Sequence, residues 1–139
     1  MSDDWKPPNM PTLIPALPGG RRLCEFVSKA FEVKGIHAYE MEGGAIARAE
    51  IRIGESVLMT GDPVGDKTTP PGTMIIYVPV CDHAYQRALE AGAKSIEAPA
   101  DQFYGDRTAR IVDPFGNQWT IATHLEDVSA GEMSRRMGG

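Results

Sequence analysis

The strongest constraint on the fold is an internal repeat: the same order of elements occurs twice in the chain. Ala49-Glu50-Ile51-Arg52-Ile53-Gly54, leading into Val57-Leu58-Met59, parallels Ala109-Arg110-Ile111-Val112-Asp113, leading through Gly116 into Trp119-Thr120-Ile121. Each copy reads as a strand, a helix and three further strands. In the first copy the strand is Thr12 to Leu17, with Pro15 allowed at an edge or bulge. A helix spans Arg21 to Phe31, its stripe being Leu23, Phe26, Val27, Ala30 and Phe31, and Gly35 closes the helical region. Strands follow at Ile36 to Glu40, Ala45 to Ile53 and Ser56 to Thr60. In the second copy Thr73 to Val80 is a strand, and Asp82 caps a helix that Gly92 ends. Lys94 to Ala98, Arg107 to Val112 and Gln118 to Thr123 are its last strands, with a Asp113-Pro114-Phe115-Gly116-Asn117 turn between the final two.

This order predicts an α+β domain of two tandem βαβββ modules, at 12–61 and 73–124, joined by the polar linker 62–72. An arm of residues 1–11 carries three prolines and Trp5, and is either loose or set against a partner. Ser129 and Glu132 form a capping box, flanked by Val128 and Met133 as a hydrophobic staple, so a terminal helix is expected within 129–137.

A chain of 139 residues with 42% hydrophobic residues can bury a core of its own. The net charge of -5 comes with no basic stripe, which speaks against nucleic acid as a partner. No apolar run approaches a membrane span, and the first residues lack the pattern of a signal peptide; a cytoplasmic location is the expectation. The two cysteines, Cys24 and Cys81, fall in helical segments and read as small buried hydrophobes. His37, His83 and His124 lie in different elements and share no metal-binding face; His124, next to Glu126 and Asp127, is the one to watch.

Strand alternation places Ala47, Ala49, Ile51 and Ile53 on one face of their strand, and Arg48, Glu50 and Arg52 on the other. Gln118, Thr120 and Ala122 share a face with Ile75, Tyr77 and Arg110. Phe103-Tyr104-Gly105-Asp106-Arg107 reads as a loop able to close over a flat ligand, Asp106 or Arg107 orienting it.

The duplicated unit and the motifs Asp101 to Arg107, Asp113 to Gly116 and Trp119 to Ser129 resemble the vicinal oxygen chelate superfamily, which includes glyoxalase I, bleomycin-resistance proteins and extradiol dioxygenases. The PhnB-like branch is the most similar. The resemblance implies a curled mixed sheet around a cavity, with helices on the convex face, and a homodimer. It also implies metal ligands on the first and last strands of each module. Those positions hold Pro11 or Thr12, Leu58 or Met59, Thr73 and Thr120, none a competent ligand, so no metal or other cofactor is expected. The function implied is metal-free binding of an aromatic or polar small molecule, a drug or natural product, in a dimer cavity. The ligand-binding residues expected are Arg48, Glu50, Tyr77, Phe103, Tyr104, Arg107, Arg110 and Thr120. The alternative is a glyoxalase-like lyase, isomerase or resistance enzyme, using a divalent metal or Glu50 as a base flanked by arginines.

Overall fold

A computed structural model describes residues 5–63 and 68–138. It contains the two expected βαβββ modules and a C-terminal helix. The chain divides into two compact units: residues up to Pro71 except 29–31, and residues from Gly72 together with Lys29–Phe31. Each unit builds its own curled four-stranded mixed sheet.

The first unit comprises β1 (Ala16–Leu17), α1 (Gly20–Phe31) as far as Ser28, β2 (Gly35–Glu40), β3 (Ile46–Ile53) and β4 (Ser56–Thr60), in sheet order β1-β4-β3-β2. β1 is far shorter than the expected Thr12 to Leu17. Two prolines, Pro11 and Pro15, lack the N–H that strand pairing needs, so pairing begins only at Ala16, with Pro15 reduced to accepting from Met59 N at 2.8 Å. α1 ends at Phe31, ahead of Gly35. Glu32 takes the left-handed cap at φ 55° and its N–H bonds Val27 O, leaving Gly35 free to start β2.

β3 buries Ala49 and Ile51 completely, and Ile46 almost so. Ala47, expected beside them, is exposed. A bulge shifts the β2–β3 register between Tyr39 and Glu40, so Tyr39 faces Arg48 while Glu40 faces Ile46 and the alternation breaks at Ala47.

The second unit comprises β5 (Thr73–Tyr77), α2 (Cys81–Glu90), β6 (Lys94–Asp101), β7 (Asp106–Val112), β8 (Gln118–His124) and α3 (Ala130–Arg136), in sheet order β5-β8-β7-β6. α2 packs on β6, β7 and β8. Its cap is Val80, which makes no side-chain bond. Asp82 lies inside the first turn and spends its carboxylate on Arg107, at 2.7 and 3.1 Å. β6 runs through Pro99 to Asp101 because it is an edge strand and slips register twice, between Ser95 and Glu97 and between Glu97 and Ala100. β5 ends at Tyr77, three residues before the expected Val80. Ser129 accepts from Glu132 N at 3.1 Å and caps α3; the Glu132 carboxylate instead pairs with Arg135 and Arg136.

The turn before β8 is held by a buried carboxylate. Asp113 accepts from Phe115 N, Asn117 N, Asn117 Nδ2 and Trp119 Nε1, all between 2.9 and 3.0 Å. Asn117, wholly buried, accepts in turn from Gly72 N at 2.9 Å and so fixes the start of β5. Trp119, Ile111 and Ile121 fill the core beneath. Cys24 and Cys81 are buried and unpaired, and burial pushes both thiols up. No helix among the described residues is long and apolar enough to cross a membrane.

Candidate ligand-binding site

Register gives both units the same lattice on their open faces. In the first, Ala16, Met59 and Glu50 stand in one row across β1, β4 and β3. In the second, Ile75, Thr120 and Arg110 form the equivalent row across β5, β8 and β7. Two residues further along, the next row of the second unit is Tyr77, Ala122 and Thr108, whereas in the first unit β1 and β4 have ended, and Pro18 and Gly61 follow them outside the sheet.

A hollow lies at this end of the first unit. A cavity of about 580 Å³ lies there, its described lining combining apolar Leu17, Pro18, Ala47 and Met59 with Arg48, Thr60, Asp62, Thr68 and Thr69. Its volume is in the range of small-molecule sites. Two of the polar side chains at its edge are engaged in hydrogen bonds. Thr60 Oγ1 donates to Leu17 O at 2.7 Å and accepts from Gly20 N at 2.9 Å, while Asp62 accepts from Ile46 N at 2.7 Å. Gly20 is required here, because its φ is 55° and a Cβ would collide with the Asp62 carboxylate. Arg48 is the wall's cation. It sits 3.2 Å from Glu50, whose side chain is only 16% exposed, and keeps half of its own surface open.

In the second unit the equivalent end is filled by a hydrogen-bonded chain. Tyr77 Oη donates to Asp106 Oδ2 at 2.7 Å, and His124 Nδ1 meets Asp106 Oδ1 at 2.7 Å. His124 Nε2 meets Asp127 Oδ1, also at 2.7 Å. Asp106 is buried, whereas Tyr77 is 62% exposed. Burial would raise the Asp106 carboxyl, but the bonds from His124 and Tyr77 prevail and hold it below the usual range. Asp106, then Asp127, hold the His124 imidazole above its ordinary value, and the Asp106 bond pushes the Tyr77 phenol up.

Gly105 brings the neighbouring segment in. Its carbonyl accepts from Leu125 N and Glu126 N at 2.8 and 3.1 Å, and a Cβ on it would strike Glu126 O. Arg136 of α3 closes over both strands of chain, donating to Phe103 O at 3.0 Å and pairing with Glu126 at 2.8 Å. Phe103 and Tyr104 meet edge to face, ring centres 5.2 Å apart, and both remain more than a third exposed.

The residues expected to bind ligand therefore fall into two groups. Arg48 and Glu50 are together on the first unit's open face. Tyr77, Arg110 and Thr120 share the open face of the second, with Phe103 and Tyr104 in the loop before β7. Arg110 is tied to Glu97 and Gln118 at 3.1 and 3.0 Å. Arg107 points the other way, alternating with Asp106, and is locked by Asp82 and Asp101 at 2.7 and 2.9 Å. Asp106, His124 and Asp127 are the members of this network outside that set. Their sequence signals were Asp106 in the aromatic loop and His124 beside two acidic residues; nothing in the sequence joins the two.

Among the described residues, the positions where the superfamily places metal ligands fit a metal in neither unit. β1 begins at Ala16, so the first-strand position beside Met59 is Ala16, not Pro11 or Thr12. In the second unit the residue beside Thr120 is likewise Ile75, not Thr73, so the four positions give a methyl, a thioether, an aliphatic chain and one hydroxyl in place of imidazole and carboxylate. His124 offers its two ring nitrogens to carboxylates on opposite sides, which cannot converge on one ion.

Residues 20–121 match the Glyoxalase/Bleomycin resistance protein/Dioxygenase superfamily, and the chain belongs to it. The uncharacterized protein Mb0911c of Mycobacterium bovis is 32% identical over 124 residues, covering 81% of this chain and 82% of its own. TioX from Micromonospora sp. ML1 has the same fold, with a TM-score of 0.65 at 19% identity, over 81% of this chain and 98% of its own. A glyoxalase-related enzyme from Fulvimarina pelagi matches with a TM-score of 0.62 at 16% identity, over 82% and 88%.

Proposed function

We propose that the protein binds a small molecule without a metal, in the manner of the bleomycin-resistance members of its superfamily, as a cytoplasmic homodimer. The observation that carries this is the 580 Å³ hollow of the first unit, where apolar walls meet the half-open Arg48 side chain, the cation among the described lining residues. Apolar walls reward a flat aromatic or heterocyclic body, and the Arg48 guanidinium favours a polar or anionic group on it. The ligand is of drug or natural-product size, and membership of the PhnB-like branch is part of the same proposal. Titration of planar natural products, followed calorimetrically, tests it. Met59→Trp fills the hollow and abolishes binding, and Arg48→Ala weakens it about tenfold, within the worth of a charge-assisted hydrogen bond. Binding unchanged by Met59→Trp overturns this reading. Sedimentation of the free and bound protein reads the oligomeric state.

A second reading, acid–base turnover, is favoured by the Arg48–Glu50 contact on the same face. It requires Glu50→Gln to abolish product formation while binding survives, and elemental analysis of the active protein to find no stoichiometric metal.

A further inference from the structure

The chain Tyr77–Asp106–His124 in the second unit is charge-neutral when the imidazole is protonated, and it already holds one anion, the Asp127 carboxylate. Only an imidazolium can donate from both ring nitrogens at once, and both nitrogens here stand 2.7 Å from a carboxylate oxygen. The two contacts are unequal. Asp106 is buried and receives a second bond from Tyr77, so it orients the ring and fixes the outward direction of Nε2. Asp127 is fully exposed, its side chain showing 101% of its free surface, and nothing but His124 holds its carboxylate among the bonds described. It can turn into water at little cost.

We infer that His124 Nε2 is an oxyanion-binding position, that Asp127 is its built-in occupant, and that the ligand class it takes is a small aromatic carboxylate. The aromatic body is specified by the neighbours. Tyr77 is 62% exposed and Ile75 69% exposed on the same sheet face. Tyr104, 38% exposed, stands in the loop that leads into Asp106, the partner of Tyr77. A ring placed over Tyr77 and Ile75 covers apolar surface that the protein leaves wet, and its carboxylate replaces that of Asp127 with no change of charge at the imidazolium. The remaining charges around His124 are accounted for: Asp106 from β7, the phenol of Tyr77 from β5, Asp127 from the following segment, and Glu126 neutralised by Arg136 of α3. This site is separate from the hollow of the first unit, and it stands or falls independently of the function proposed there.

The test uses 2-naphthoate and its neutral counterpart 2-naphthamide as probes, in a buffer free of carboxylates at pH 6. The full-length protein is observed through the His124 ring signals by NMR. Naphthoate shifts those signals saturably, and naphthamide binds at least tenfold more weakly. Asp127→Asn removes the competing carboxylate on an exposed residue that the fold does not need, and it tightens naphthoate two- to fivefold, the range an exposed ion pair is worth. His124→Gln abolishes the preference for naphthoate over naphthamide. Absence of any shift by naphthoate at His124 overturns the inference. So does equal affinity for the two probes, or an affinity for naphthoate that Asp127→Asn leaves unchanged or weakens.

Discussion

Two residues concentrate the chemistry of the second unit, and each makes a measurable prediction. His124 has its folded pKa raised above the ordinary 6.5 by Asp106 and then Asp127. A raised value means that the contribution to stability is complete below about pH 6.5 and is lost as pH rises through the folded value. The stability difference between the wild type and His124→Gln is therefore largest in mild acid and fades in alkali; melting curves from pH 5.5 to 9 read it, and a difference that grows with pH refutes it. Gly105 adopts φ 98° against the Glu126 carbonyl. Gly105→Ala costs about 2 kcal/mol or more in urea unfolding, since both the backbone region and the clash oppose it. The sequence made His124 visible only as a histidine near acidic neighbours. Its real partner, Asp106, is eighteen positions away, and strand pairing alone brings the two together.

Elements were legible wherever periodicity and turn chemistry agreed. β4 was read to the residue, and the helical stripe of α1 and the Ser129 cap also held. Boundaries failed where tertiary context overrode local preference. Glu32 took a left-handed cap that glycine usually supplies, Pro99 continued a strand because that strand is an edge, and a bulge turned Ala47 outward. The Asp113 turn shows how much one element depends on a single buried side chain. Asp113→Ala leaves four donors without their acceptor, among them the Trp119 indole, and costs on the order of 3 kcal/mol in urea unfolding. The α3 cap behaves differently. α3 buries no residue, so Ser129→Ala leaves the global midpoint within about 0.5 kcal/mol and speeds hydrogen exchange of the Glu132 amide.

For the whole molecule, the duplicated architecture was readable because each copy carries its own turn residues and its own core strand. The two candidate sites were less so. The hollow of the first unit is lined by Pro18 and Gly61, which lie just past β1 and β4 where no periodicity announces them, and the filled end of the second depends on Tyr77 at the end of β5. A ligand present at a hundredfold excess over its dissociation constant stabilises the folded state by about 2.7 kcal/mol, which raises the melting temperature by roughly 10 °C in a chain of this size. A thermal-shift screen finds such ligands before their chemistry is known, and a shift lost on Met59→Trp assigns them to the hollow.

The buried thiols give the duplication a further use. Cys24 belongs to the first unit and Cys81 to the second, and each is shielded and protonated in the native state. A thiol reagent added to the folded protein therefore reacts only when the local structure opens. With Cys24→Ala and Cys81→Ala variants, the labelling rate of the remaining thiol becomes a clock for one half of the molecule at a time. If the halves open together, the two clocks keep the same time; if they open separately, a compound seated in one half slows only its own.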